Sequence, residues 1–203
     1  DTALVGGGTN PHPGEISLAH NGVLFLDELP EYKRSALEVM RQPLEDRHIT
    51  VARTKETVDY PASFMLVAAM NPCPCGHYGE NNPAHPCTCT PAQVHRYMSK
   101  ISGPLLDRID IQCEIEAVPY DQLRDTQPGE SSAVMRERVL KARAVQNERF
   151  KHSRLVHCNA MMNAKMVRQY CALDAECDKL LEFTMTKLGL SARAYDRILK
   201  VAR

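Results

Sequence analysis

The sequence has 203 residues, 43% of them hydrophobic, which is typical of one large globular domain or two small ones. Its 25 basic and 25 acidic residues balance, which excludes a strongly cationic chain but leaves local basic surfaces open. No apolar run reaches the roughly 20 residues that cross a bilayer, so we predict no membrane partner. Because the chain opens at Asp1 without Met and stops inside a predicted helix, we expect a piece of a longer protein.

Cysteines are unevenly distributed in this sequence. Without a signal-peptide pattern, the eight cysteines are expected to be reduced thiols of a cytoplasmic protein. Four of them form two C-x-C pairs with eleven residues between the pairs: Cys73, Cys75, Cys87 and Cys89. The turn-rich residues between the pairs allow the four thiols to meet, which favours a structural Zn²⁺ site. His77 or His85 can replace a thiol, and four reduced cysteines in a loop are the alternative.

Two continuous apolar runs, 23–26 and 64–70, predict strands. Such runs are typical of strands covered on both faces in a parallel sheet, although a buried helix segment has the same pattern. The Gly and Pro residues that flank them favour strands. Between the runs, Leu37, Met40 and Leu44 keep helical spacing, so the order strand, helix, strand predicts an α/β unit.

Alternating apolar and polar residues predict two further β elements. Residues 49–51 and 58–60 alternate on either side of a charged tip that contains Arg53 and Lys55, which predicts a β-hairpin. Residues 111–115 alternate in the same way and predict a half-exposed strand.

The pattern changes after residue 119. Residues 120–132 contain turn residues and are a predicted linker between an α/β domain at 1–119 and a helical domain at 133–203. Asp174 and Ser191 precede helical patterns and are predicted N-caps. One predicted helical face is lined by Met135, Val139, Ala142 and Val145.

Polar side chains follow both apolar runs. Asp27 and Glu28 end the first run, where the carboxyl edge of an open α/β sheet binds ligands. One carboxylate there can hold Mg²⁺ and the next can polarise a water, although an acidic pair also starts many surface loops. Asn71 ends the second run and can orient the same water if the strands are neighbours, but an Asn-Pro turn explains it equally well.

Two arginines complete the set of candidate site residues. Arg108 follows a short turn, and a guanidinium that reaches a transferring phosphoryl group raises the rate by roughly 10³–10⁵ in GTPases. The alternative is a surface charge cluster with Asp107 and Asp110. Arg193 lies near the start of a late predicted helix, where it can meet a phosphate, and a solvated basic helix is the alternative.

The order of these four features resembles Walker B, sensor 1, arginine finger and sensor 2 of AAA+ ATPases. Over essentially its whole length the sequence resembles the magnesium-chelatase-like ComM/YifB family. Four strings carry this resemblance: residues 14–28, 68–76, 102–110 and 190–203.

The resemblance implies a fold and a set of roles. The fold is α/β, a partial AAA+ P-loop-type core with a parallel sheet and a β-hairpin insertion, followed by a small all-α lid domain. Asp27 and Glu28 would be the Walker B pair that binds ATP with Mg²⁺, and Asn71 would be sensor 1. Arg108 would act across a subunit interface, and Arg193 resembles sensor 2.

The resemblance also implies partners and one departure from the family. Family members form rings, so we expect self-assembly into a hexamer-like ring that acts on DNA. The hairpin tip with Arg53 and Lys55 resembles the hairpin that points into the channel of MCM rings. Walker A requires Gly-Lys, and this sequence has no such dipeptide. We therefore expect an active ATPase in the parent protein and no turnover by this chain alone.

Three functions remain open at this point. The first is an ATP-driven motor on DNA, supported by the charged hairpin tip. The second is a chelatase-type ATPase that remodels a partner protein. The third is a non-catalytic, zinc-stabilised interaction module.

Overall fold

The structure is a computed structural model that describes residues 2–7, 12–52, 57–80, 85–115, 118, 124 and 129–203. The chain divides into two compact units, Asp1–Ala117 and Val118–Arg203. The domain boundaries taken from the sequence, with a linker at 120–132, stay a prediction.

Short helices and strands alternate in the first unit. Its helices are α1 (Thr2–Val5), α2 (Glu15–Leu18), α3 (Arg34–Val39), α4 (Arg41–Asp46), α5 (Pro91–Met98) and α6 (Gly103–Leu106), with a 3-10 turn at Leu29–Glu31. Its strands are β1 (Gly6–Gly7), β2 (His12–Pro13), β3 (Val23–Leu26), β4 (His48–Ala52), β5 (Thr57–Pro61) and β6 (Met65–Ala68).

The two apolar runs form β3 and β6, which pair in parallel with Leu26 opposite Ala68. The predicted strands and their parallel pairing are therefore confirmed. The expectation that both faces are covered is wrong within the described residues, because Leu24 and Leu26 are buried while Phe25 is 59% exposed. The physical reason is that the core of this unit packs on one face of the pair.

The core of the first unit joins β3 to the helices around it. It contains the buried side chains of Leu4, Ile16, Leu24, Leu26, Leu29, Ala36, Leu37, Met40, Ile49, Ala62, Ile101 and Leu105. Leu37 and Met40 are fully buried, as their helical spacing predicts, on α3 and the turn that leads into α4.

The predicted hairpin is confirmed in its strands: β4 and β5 pair in antiparallel fashion with Ile49 opposite Tyr60. The tip residues Arg53 and Lys55 lie outside the described residues. The predicted strand at 111–115 is wrong, because these residues form neither helix nor strand and Ile115 is 89% exposed. Alternation creates a strand only where a neighbouring strand supplies hydrogen bonds.

The described part of the second unit is helical. Its elements are α7 (Ser132–Phe150), a 3-10 turn at Asn159–Met161, α8 (Ala164–Tyr170), α9 (Ala175–Leu188) and α10 (Ala192–Ala202). The predicted N-caps are confirmed, since the Asp174 carboxylate accepts from the backbone of Cys177 at 2.8 Å and the Ser191 hydroxyl from Ala194 at 3.2 Å. Among the described residues, no helix is both long enough and apolar enough to cross a membrane.

Helix α7 forms as predicted, but the apolar residues of its predicted face are not buried. Met135, Val139 and Val145 are all exposed, and Phe150 is the residue of α7 that joins the core. That core contains Phe150, Met162, Val167, Cys171, Leu181 and Leu199. Helix spacing alone therefore identified the helix but not which of its side chains pack.

Candidate nucleotide site and cysteine cluster

Asp27 and Glu28 form a tight exposed turn directly after β3. The Asp27 Oδ1 atom accepts a hydrogen bond from the backbone N–H of Glu28 at 2.9 Å. Glu28 has φ 50° and ψ 46°, a left-handed conformation that is uncommon for a residue with a Cβ. Strained backbone of this kind persists only where the surrounding structure holds it, and it concentrates at functional sites.

Asn71 lies at the same edge of the strand pair. The chain leaving β6 is hydrogen-bonded on both sides of the acidic turn: Ala69 N–H donates to the carbonyl of Leu26, and Leu29 N–H donates to the carbonyl of Ala69, both at 3.0 Å. Asn71 follows two residues later and is exposed. The structure therefore brings Asp27, Glu28 and Asn71 to one edge, as their positions at parallel strand ends require.

Tyr97 on α5 is a buried side chain close to this edge. Its side chain is 6% exposed, and the backbone of Asn71 hydrogen-bonds to its phenol. Burial raises the pKa of Tyr97, and the nearby carboxylates of Glu31 and Glu28 raise it further. The phenol therefore stays neutral beside the backbone of Asn71.

Arg108 follows α6 and pairs with residues other than those of the acidic turn. Its Nη1 donates to the carbonyl of Pro104 at 2.7 Å, and its Nη2 pairs with Glu45 on α4. The Arg108 side chain is 12% exposed, whereas that of Glu45 is 49% exposed. Arg108 would have to break its ion pair with Glu45 before it could contact the nucleotide of a neighbouring subunit.

A second carboxylate connects the same elements. Glu38 on α3 pairs with Arg41 at 2.7 Å. Hydrogen bonds from Ser102, the N-cap of α6, and from Arg41 hold the pKa of Glu38 below its usual value. Glu38 and Glu45 thus connect α3 and α4 to the turn that presents Arg108, beside an open cavity of about 490 Å³.

Arg193 is the second residue of α10 in the other unit, next to the Ser191 cap. Its role stays a prediction, as do those of Asp27, Glu28, Asn71 and Arg108. The predicted DNA contacts Arg53 and Lys55 lie outside the described residues.

The structure brings the four clustered thiols together. Their sulfur atoms all lie within 4.8 Å of one another, with Cys73 3.3 Å from Cys75 and Cys87 3.6 Å from Cys75. Four thiolates around a tetrahedral Zn²⁺ at about 2.3 Å stand about 3.8 Å apart. The arrangement of Cys73, Cys75, Cys87 and Cys89 therefore fits a tetrahedral ion with little movement.

The surroundings of the thiols also suit a metal. Backbone N–H groups of His77 and Thr88 hydrogen-bond to Cys75 and lower the pKa of that thiol to about 5. Burial raises the pKa of Cys89 to about 12, and the neighbouring thiol of Cys75 adds to the effect. Thiols packed this closely cannot all ionise without a cation, because the thiolates would repel one another. His77 pairs with Glu80 at 2.9 Å.

Two residues at this site were not predicted from the sequence. Glu45 lies 63 residues before its partner Arg108, and Tyr97 lies on a helix that carries no recognised motif. An acidic residue on a helix and a tyrosine at a core position are both too common to distinguish, so no sequence signal identified them.

Two family models match the chain. The model described as magnesium chelatase, subunit ChlI, matches residues 1–123, and the model of the ChlI C-terminal region matches residues 129–203. The chain belongs to the magnesium-chelatase-like ComM/YifB family. This family implies an AAA+-type ATPase module.

Individual relatives support the assignment. YifB of Escherichia coli is 51% identical over 203 residues, which cover 100% of this chain and 38% of the relative. Competence protein ComM of Haemophilus influenzae is 50% identical over 99% of this chain and 38% of its own length. YifB of Salmonella typhimurium is 47% identical, again over 38% of its length. The chain thus spans well under half the length of these curated relatives.

Proposed function

We propose that this chain is the hydrolytic part of an ATP-driven, ring-forming AAA+ motor that acts on DNA. The proposal rests on one observation: Asp27, Glu28 and Asn71 all lie at the carboxyl edge of the parallel pair β3–β6. Family membership and the competence-protein relative add support.

Each site residue has a role in this proposal. Asp27 would hold Mg²⁺, which neutralises charge on the phosphates when bound. Glu28 would polarise the attacking water, and Asn71 would orient it. Arg108 would exchange Glu45 for the phosphate of a neighbouring subunit, and Arg193 would contact phosphate from the second unit. Without a Gly-Lys phosphate loop in its sequence, this chain by itself would not turn over ATP.

The first experiment measures ATP turnover by the full-length protein, with and without single-stranded and branched DNA. Glu28→Gln should lower kcat at least about 100-fold with little change in KM, because it removes a group needed for chemistry rather than for binding. Glu31→Gln is the matched control, since Glu31 is an exposed acid three residues away that pairs with Lys100. Equal turnover by Glu28→Gln and the wild type would refute the catalytic assignment.

DNA separates the candidate functions. Turnover stimulated by DNA supports the motor, and the double change Arg53→Ala with Lys55→Ala should remove that stimulation while nucleotide binding persists. Turnover indifferent to DNA favours a chelatase-type ATPase that remodels a partner protein. A full-length protein that binds no nucleotide would favour the non-catalytic, zinc-stabilised interaction module.

The thiol cluster favours a second proposal, a structural Zn²⁺ held by Cys73, Cys75, Cys87 and Cys89. The protein purified without chelators should contain one zinc ion per chain by elemental analysis. Cys75→Ser should lose most of this zinc, whereas Cys177→Ser, an exposed cysteine outside the cluster, should retain it. Metal-free wild-type protein would contradict the zinc proposal.

A further inference from the structure

The balanced charge of the whole sequence hides an asymmetry between the two units. Through residue 117 the sequence has nine basic and fifteen acidic residues, and from residue 118 it has sixteen basic and ten acidic residues. The first unit thus carries a net charge of −6 and the second a net charge of +6. A strong difference in charge between two parts of one chain suggests that the basic part binds a polyanion.

The positive charge of the second unit is concentrated in residues 136–168. This segment contains nine basic residues and only two acidic ones. Two of its cations have carboxylate partners: Arg138 pairs with Glu130 and Lys151 with Glu148. Six others are exposed and make no ion pair with any described residue: Arg136, Lys141, Arg143, Arg154, Lys165 and Arg168.

The turn after α7 and helix α8 fold back onto the end of α7. The chain after α7 turns back, since Asn159 N–H donates to Gln146 Oε1 at 2.8 Å and Arg149 donates to Asn159 Oδ1 at 2.5 Å. The end of α7 also packs against α8, with the rings of Phe150 and Tyr170 5.8 Å apart. The fold therefore holds the end of α7, the turn after it and α8 together and leaves the cations Arg154, Lys165 and Arg168 in solvent.

The spacing on α7 suits a regular polyanion. Arg136 and Arg143 are seven residues apart, so they lie on the same side of the helix, about 10.5 Å apart along its axis. One strand of DNA carries a phosphate about every 3.4 Å along the helix axis, so this distance spans about three phosphates. Six of the nine cations in the segment are arginines, whose planar guanidinium binds phosphate through two hydrogen bonds.

We infer that the side of α7 that carries Arg136 and Arg143 is a basic surface that binds the phosphate backbone of DNA, separately from the hairpin tip. This inference rests on the proposed function, because it names a second contact between the same motor and its substrate. Contacts of this kind read no base sequence, which suits a motor that moves along DNA.

A membrane surface fits these observations less well than DNA. Helices that lie on membranes collect their apolar residues on one face. On α7 most of the exposed apolar residues lie on one half of the helix, but Arg138 and Arg149 stand among them and Leu140 lies on the other half. Because arginines interrupt this apolar half, it is not apolar enough to enter a lipid surface.

The test measures DNA binding by the full-length protein with fluorescently labelled single-stranded and duplex oligonucleotides at several salt concentrations. Arg136→Gln with Arg143→Gln should weaken the Kd at least about tenfold and lower the slope of log K against log salt by up to about two. ATP turnover without DNA should not change. The control, Lys179→Gln with Lys187→Gln on α9, removes the same charge from exposed positions of the same unit and should bind like the wild type.

The outcomes separate the two proposals. If the wild type binds DNA and the Arg136–Arg143 double variant binds it equally well, the basic surface is refuted while the DNA motor stands. If the wild type shows Glu28-dependent ATP turnover but binds no DNA, both the surface and the action on DNA are refuted. Binding to vesicles of anionic phospholipid, lost in the double variant and without DNA binding, would assign the surface to membranes and overturn the inference.

Discussion

At the scale of single residues, two features matter most: the strained backbone of Glu28 and the ion pair of Arg108 with Glu45. Glu28 keeps a left-handed backbone that costs about 1–2 kcal/mol for a residue with a Cβ, so the turn must be held by its neighbours. The bonds of Ala69 to Leu26 and Leu29 provide that hold. Arg108 instead depends on Glu45, and the strength of this pair decides whether Arg108 can leave it.

The Arg108–Glu45 pair should be weak. Because half of the Glu45 side chain is exposed, water screens the pair, and we expect a coupling free energy of at most about 1 kcal/mol. A double-mutant cycle with Arg108→Ala and Glu45→Gln, followed by chemical denaturation, measures this value. A coupling of several kcal/mol would mean that Arg108 is fixed in its own subunit, which would contradict its action on a neighbouring nucleotide.

At the scale of elements, α6 ties the candidate arginine to the core. Ser102 caps this helix by accepting from the backbone of Leu105 at 3.3 Å, and Pro104 stands in its first turn. Leu105 is fully buried in the core with Leu37 of α3. A helix of four residues has little stability of its own, so this buried leucine fixes the position of Arg108.

Leu105→Ala should therefore destabilise the first unit by about 2–5 kcal/mol and lower ATP turnover of the full-length protein through displacement of Arg108. Leu106→Ala is the control, because that neighbouring leucine is only partly buried and should cost clearly less. Thermal denaturation monitored by circular dichroism compares the two variants. Equal losses of stability would show that the depth of burial does not anchor this helix.

At the scale of the whole molecule, the chain combines an acidic α/β unit with a basic helical one. Within the first unit, the thiol cluster connects distant parts of the chain. Cys73 follows β6 closely, and Cys89 directly precedes Thr90, which caps α5 through the backbone N–H of Gln93 at 3.3 Å. A metal ion there would join the strand end that carries Asn71 to the helix that carries Tyr97.

Removal of the metal should destabilise the first unit. With free zinc about 100-fold above its Kd, binding contributes about 2.7 kcal/mol, and a chelator should remove that contribution. Unfolding of the full-length protein is measured with and without chelator in the wild type, Cys87→Ser and Cys177→Ser. The wild type and Cys177→Ser should lose stability on chelation, and Cys87→Ser should not respond. A wild type indifferent to chelation would contradict a stabilising role for the cluster.

The sequence by itself determined the features that depend on local pattern. The apolar runs predicted β3 and β6, alternation predicted the strands of the hairpin, and the caps at Asp174 and Ser191 marked two helix starts. The position of Asp27, Glu28 and Asn71 at strand ends followed from the same runs, because parallel strands bring equivalent ends together.

Only the tertiary structure decided which side chains meet and which faces are covered. The pairing of Arg108 with Glu45 and the hydrogen bond of Tyr97 with the backbone of Asn71 join residues far apart in sequence, where local pattern carries no information. Alternation at 111–115 did not produce a strand, and helical spacing on α7 did not produce burial. Both outcomes have the same physical reason: a strand needs a hydrogen-bonding neighbour and an apolar face needs a packing partner, and both are supplied by the rest of the fold.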